Sequence, residues 1–245
     1  MKNYLNRGDF LELALKVYEK GLSNLIAKFK PKAIDRTKAA FNSDISSSNW
    51  WIIPQVKARW NEKITGDPNK TYEELLINEV LIHKKDLKLL SIGCGVGNHE
   101  MKLGQIGKFA EVLGIDVANQ LIEIANRKAG KLNIANCSFK TVNVLEDEIP
   151  NAPYDIVLFH SSLHHFDGID SFLTDKIFPI LAEQGLLVIN EFIGPTRLQW
   201  TKNQIDVCND LLAALPAKMR KTRLPLFTKR KVRRTGIWRM ILSDP

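Results

Sequence analysis

A doubly wound, parallel α/β sheet is predicted for this chain by three observations. From Leu87 onward, short apolar runs alternate with helix-length stretches, the pattern of strands joined by right-handed helical crossovers. One run, Leu89-Leu90-Ser91-Ile92, passes directly into Gly93-Cys94-Gly95-Val96-Gly97, an alternating glycine turn. Finally, Gly93, Asp116, Asn143, His160 and Glu191 each fall at the carboxyl end of a predicted strand, where sheets of this kind gather their ligands.

The elements follow from local signals. Asp9-Phe10-Leu11-Glu12 has capping-box spacing, and Phe10, Ala14, Val17, Leu22, Leu25 and Phe29 recur at helical intervals, so an amphipathic helix is expected up to Pro31. Residues 35–49, ending in Ser46-Ser47-Ser48-Asn49, read as a polar connection. A helix is expected from Pro54 and another from Thr71-Tyr72-Glu73-Glu74, again with capping-box spacing. Then come strand 87–92, helix 98–107, strand 110–115, helix 119–129, strand 137–142, strand 154–160, helix 169–182 and strand 186–193. A helical stretch from Trp200 to Leu215 and a short strand over 237–242 complete the chain. This divides it into a helical extension (1–45), a helical lid (46–86), a ligand-binding core (87–193) and a helix with a basic segment (194–245).

Composition narrows the function classes. With 245 residues and 44% hydrophobic content, one α/β core of good size is expected rather than two large domains. The N-terminal residues lack an apolar signal core and no run is long enough to span a bilayer, so a cytoplasmic protein is expected. Cys94, Cys137 and Cys208 are odd in number and widely spaced, which argues against disulfides and offers no metal spacing. The net charge of +8 is concentrated: residues 218–239 hold ten Lys or Arg and no acid, leaving the remainder at −2. That strip is a solvated tail or a docking surface for phosphate.

The glycine turn and Asp116 describe a nucleoside site. Alternating glycines remove every Cβ where a ligand must lie against backbone, and a carboxylate 21 residues after Gly95 suits a ribose diol. A dinucleotide fingerprint needs a further glycine two residues later, where this chain has Asn98-His99-Glu100. Glu100 would repel a pyrophosphate but suit the ammonium group of S-adenosylmethionine, which therefore fits better than a nicotinamide dinucleotide.

On these residues, together with Phe139-Lys140-Thr141-Val142-Asn143-Val144, Tyr154 to His160 and Gly185 to Glu191 in order, the chain resembles the class I S-adenosylmethionine-dependent methyltransferases. The resemblance implies a Rossmann-like doubly wound parallel sheet with an N-terminal helical lid. Trp50 to Asn61, Ile64 to Pro68 and Asn190 to Thr201 are similar to a bacterial subgroup acting on small molecules and cell-surface sugars. That subgroup continues past a motif like Ser243-Asp244-Pro245, so a C-terminally truncated chain is expected, with its fifth strand an open edge and a homodimer as the consequence.

The implied cofactor-binding residues are Arg59, Gly93, Cys94, Gly95, Gly97, Glu100, Asp116, Asn143, Val144 and His160. Cys94 serves as a small spacer. Asp116 takes the ribose hydroxyls or caps the following helix, and Asn143 accepts from the adenine amino group or merely turns the chain. Where relatives often carry an acid, this chain has Ser91, leaving the ammonium to backbone carbonyls or Glu100. His164, His165 and Glu191 are the catalytic candidates. A histidine takes the acceptor's proton or packs on the cofactor, and Glu191 orients the acceptor or pairs with Arg197. The expected reaction is methyl transfer to an oxygen or nitrogen of a small molecule or sugar, without a metal. The alternatives are an RNA methyltransferase using the basic strip, and a non-catalytic cofactor-binding protein.

Overall fold

The computed structural model describes residues 53–191, 193, 200–221 and 228–232, together with Phe10, Ala14, Val17, Tyr18, Leu22 and Ile26. The chain divides into two compact units, Asp44–Phe192 and Met1–Ser43 with Ile193–Pro245.

In the first unit, α1 (Pro54–Thr65) starts on a proline, whose fixed φ suits the first helical position, and stops at Gly66 in the left-handed conformation. The expected capping box opens α2 (Tyr72–Leu75): the Thr71 N–H donates to Glu74 Oε2 at 2.7 Å and the Glu74 N–H donates to Thr71 Oγ1 at 3.4 Å. A π turn, Leu76–Val80, continues it.

Five parallel strands follow: β1 (Leu87–Ile92), β2 (Phe109–Asp116), β3 (Cys137–Thr141), β4 (Tyr154–His160) and β5 (Leu181–Asn190), in the order β3-β2-β1-β4-β5. Between them lie α3 (Asn98–Gly104), α4 (Asn119–Lys131) and α5 (Ile169–Phe172). The order reverses beside β1, so the crevice at its carboxyl end is the ligand position. In register, Leu90 pairs with Leu113 and Val157, and His160 pairs with Asn190.

Because side chains alternate along a strand, β1 supplies two cores. Leu90 and Ile92 join Ile115, Val157, Phe159, Phe172 and Ile177 on one face. Leu87 and Leu89 join Leu76, Leu81, Leu103, Val112 and Leu158 on the other. A third cluster seats Ile122 and Ala125 of α4 against Phe139 and Met101.

Three expected boundaries are corrected. The expected helix 98–107 ends at Gly104, where a side chain would strike Cys137 Sγ at 2.3 Å. The expected helix 169–182 is broken: α5 passes into a π turn, Leu173–Ile177, then a 3-10 turn, Phe178–Ile180, whose Pro179 lacks the N–H a helix would need. The expected strand 186–193 instead runs from Leu181 to Asn190. Its start was concealed by an irregularity between Tyr154 and Ile156, where Gln184 takes a positive φ.

In the second unit, α6 (Lys202–Ala214) is opened by a capping box between Thr201 and Gln204. Residues of the basic strip fold locally: Lys221 bridges Thr228, and the Asn209 side chain holds both the N–H and the carbonyl of Val232. Phe10, Ala14, Val17, Tyr18, Leu22 and Ile26 are helical, with Phe10, Tyr18, Leu22 and Ile26 exposed. The polar connection 35–49, Trp50, Trp51, Arg197 and the expected strand 237–242 lie outside the described residues.

Candidate active site

The carboxyl ends of β1, β2, β4 and β5 meet around the glycine turn. Gly93, Gly95 and Gly97 all have positive φ, and their surroundings separate their roles. A Cβ on Gly93 would lie 2.5 Å from Ser162 Cβ, and one on Gly97 would lie 2.5 Å from the Phe139 ring. On Gly95 it would meet nothing within 4 Å. Internal packing requires glycine at the first and third positions, whereas the middle one presents bare backbone to open space.

Asp116 braces that backbone. Its Oδ2 accepts the Gly95 N–H and its Oδ1 the Ala118 N–H, both at 2.9 Å. Burial pushes its carboxyl up, against the pull of backbone donors at Ala118, Gly95 and Val117 and the nearby His165. Each oxygen retains acceptor capacity for a diol. Cys94 lies within the turn, its thiol pushed well up by burial and by the charges of Glu100 and Asp116, which suits an inert spacer.

Glu100 is only 1% exposed, accepts the Ser91 hydroxyl, and leaves Oε2 sealed without a hydrogen-bond partner. Burial pushes its carboxyl up. Buried to this degree, Glu100 presents no oxygen to a ligand in this structure.

Asn143 is buried, its amide oxygen accepting the Leu145 N–H at 3.3 Å in the manner of a turn residue, and Val144 belongs to the core. Arg59 stands apart on an exposed face of α1, paired with Glu62 at 2.6 Å.

Glu191 fastens the loop after β4. Its Oε1 accepts the N–H groups of Ser162 and Leu163, both at 2.5 Å, and its Oε2 meets His164 Nδ1 at 2.8 Å. The His164 and His165 rings lie 4.1 Å apart. Ser162 in turn donates to the Ile92 carbonyl at 2.6 Å, tying this loop to the glycine turn.

Beside the turn opens a cleft of about 390 Å³, lined among others by Lys57, Trp60, Tyr72, His99, His160 and Asn190. Tyr72 and His160 share a 2.8 Å hydrogen bond, and His99 meets Glu73 at 2.9 Å. Of the sequence candidates, only His160 lines this cleft. Tyr72, Glu73 and His99 were missed because Glu73 reads as capping-box filler, although a histidine two residues after the last turn glycine was a usable signal. Among the described residues, no group of three or more His, Cys, Asp and Glu is placed to hold a metal ion.

A glycine turn after the central strand, a carboxylate ending the next, and this strand order are shared by class I S-adenosylmethionine-dependent methyltransferases and other Rossmann-like nucleoside-binding sheets, and the sequence family separates them. The chain belongs to the methyltransferase domain family, whose sequence model matches residues 83–232. It is similar to a demethylmenaquinone methyltransferase of Thermus thermophilus (26% identity, covering 49% of this chain and 53% of the relative). It is also similar to a ubiquinone biosynthesis O-methyltransferase of Pelagibacter ubique (31% identity, 43% of this chain and 42% of the relative). The chain spans about half the length, or less, of these curated relatives. Among solved structures, YcgJ of Bacillus subtilis matches with 18% identity and a TM-score of 0.45 over 58% of each chain.

Proposed function

We propose that this chain transfers a methyl group from S-adenosylmethionine to an oxygen or nitrogen of a small molecule or sugar. The observation that carries the reading is the open face of Gly95 held by Asp116, the combination a nucleoside cofactor needs and packing alone does not explain. The named functions of the quinone-pathway relatives support a small-molecule acceptor.

The residues present fit the cofactor. Gly95 with its neighbours Gly93, Cys94 and Gly97 would form the backbone cradle, Asp116 would hold the ribose hydroxyls, and Asn143 and Val144 would flank the adenine. His160 lies toward the acceptor side. Glu100 supports the cradle from beneath through Ser91, and Arg59 is left with a peripheral role. When bound, S-adenosylmethionine supplies a methyl group activated by a sulfonium. The protein's part is then to align an acceptor in line with that bond and to receive its proton. Glu191 and His164 keep the loop after β4 in place beside the acceptor, and His165 sits close enough to Asp116 to influence its charge.

No helix among the described residues is long and apolar enough to cross a membrane, and the three cysteines are free, which supports a cytoplasmic site of action. At the β5 end of the sheet, no further strand pairs with it among the described residues, which supports self-association through that edge.

Calorimetry with S-adenosylmethionine, S-adenosylhomocysteine and NAD tests the reading: the first two bind and NAD does not. Tighter binding of NAD overturns it. Cofactor binding without methyl transfer across hydroxyl, amine and sugar acceptors would favour the non-catalytic alternative. Salt-dependent RNA binding would favour the RNA methyltransferase.

A further inference from the structure

Two imidazoles stack in the cleft, ring centroids 3.7 Å apart, with opposite hydrogen-bond polarity. His160 Nδ1 faces the Tyr72 hydroxyl at 2.8 Å and the Asn190 amide at 3.4 Å. Burial, with the charges of Glu73 and Glu100, pushes the Tyr72 phenol far up, so its hydroxyl keeps a proton to donate. Because the Asn190 Nδ2 amide, which only donates, faces the same nitrogen, Nδ1 of His160 accepts, and the neutral ring carries its proton on Nε2.

His99 is arranged the other way. Its Nδ1 lies 2.9 Å from Glu73 Oε1, and Glu73 is buried. Burial alone would raise the Glu73 carboxyl, but the His99 hydrogen bond, a backbone N–H and Lys102 hold it at about 2. The carboxylate accepts, so Nδ1 of His99 bears the proton and Nε2 has a lone pair. The side chain is 40% exposed and lines the cleft. Burial and the facing His99 lower His160 to about 4, so the His160 ring stays neutral in the stack.

We propose that Glu73 and His99 form the proton-accepting dyad of this cleft, and that the acceptor is an aromatic or enolic hydroxyl whose proton His99 removes. The inference rests on the methyltransferase reading and names its acceptor class. His99 is the catalytic residue and Glu73 the positioning one. As the acceptor oxygen forms its bond to the methyl carbon, the methyl–sulfur bond breaks with its electron pair left on sulfur. The hydroxyl proton moves to Nε2 of His99. The positive charge lost from the sulfonium reappears on an imidazolium already paired with Glu73.

Imidazole is closer in basicity to a phenolate than to an alkoxide, so general-base removal of the proton favours the more acidic hydroxyl. The walls agree with this class. Trp60 and Tyr72 are aromatic, Lys57 and Lys102 bring cations that favour a developing phenolate, and the volume suits a small ring system.

Nitrogen-15 NMR of the imidazoles in cofactor-free protein tests the dyad, with the signals assigned through His99→Gln and His160→Gln. His99 is expected as the Nδ1–H tautomer and His160 as Nε2–H, with Glu73→Ala abolishing the preference at His99 only. Finding wild-type His99 as Nε2–H, or unchanged by Glu73→Ala in a folded protein, overturns the dyad. With S-adenosylhomocysteine present, catechol is expected to shift the His99 signal and n-butylamine to leave it in place. The reverse, or no response to catechol, overturns the acceptor class. Failure of S-adenosylhomocysteine to bind while the tautomers stand as described overturns the methyltransferase reading instead.

Discussion

The Ser91 hydroxyl donates a 2.5 Å hydrogen bond to Oε1 of Glu100, and both side chains are sealed from solvent beneath the glycine turn. One carboxyl therefore occupies a space that has no room for a second charge. Ser91→Asp is expected to destabilise the fold by about 3–5 kcal/mol, the cost of an uncompensated buried charge. Adding Glu100→Gln should recover most of the loss. Urea unfolding of the two single variants and the double variant measures the coupling, and additive effects would dissolve the pairing.

Glycines 95 and 97 should separate binding from stability. Gly97→Ala combines a left-handed backbone with a clash against Phe139, an expected loss of about 2–4 kcal/mol. Gly95→Ala meets no atom, so about 1–2 kcal/mol from backbone strain is expected, together with a large loss of S-adenosylmethionine affinity. Thermal unfolding and calorimetry on both variants decide this. Equal affinity losses at the two positions would contradict it.

Asp116→Ala should weaken S-adenosylmethionine binding by about 1–3 kcal/mol, the range for hydrogen bonds to a charged group. An unchanged affinity in calorimetry would restrict Asp116 to holding the turn.

The cleft should make stability acid-sensitive in a defined window. His160 is lowered from 6.5 to about 4, so between those values the unfolded chain binds more protons and stability falls as pH falls. Glu73, lowered from 4.5 to about 2, extends the loss below pH 4.5 with the same sign. Glu100 and Asp116, raised by burial, act with the opposite sign, so the test is a difference. From pH 7.5 through 5.5 to 4, urea midpoints should fall more steeply, or rise less, in the wild type than in His160→Asn.

Most of the fold was legible because parallel strands buried on both faces are continuous apolar runs, as in Leu87–Ile92 and Tyr154–His160. The start of β5 was not, since Leu181 pairs with Tyr154 across an irregularity that no period-2 pattern records. The residues proposed to hold the cofactor were legible through backbone chemistry, where glycine spacing and a strand-end carboxylate are written directly in the chain. The cleft proposed for the acceptor was not. Tyr72 and His160 are 88 residues apart, and only the approach of α2 to the sheet brings them to hydrogen-bond distance.

The ends of β1, β4 and β5 are joined by two side chains, Ser162 reaching the Ile92 carbonyl and Glu191 gathering the Ser162 and Leu163 N–H groups. An arriving solute finds this rim assembled and has no strand ends to bring together there. Its capture at the rim should be governed by encounter, with observed rates rising linearly with solute concentration and no saturating slow phase. Severing one stitch, as in Ser162→Ala, converts a fixed threshold into a hinged one and makes entry wait for the threshold to form.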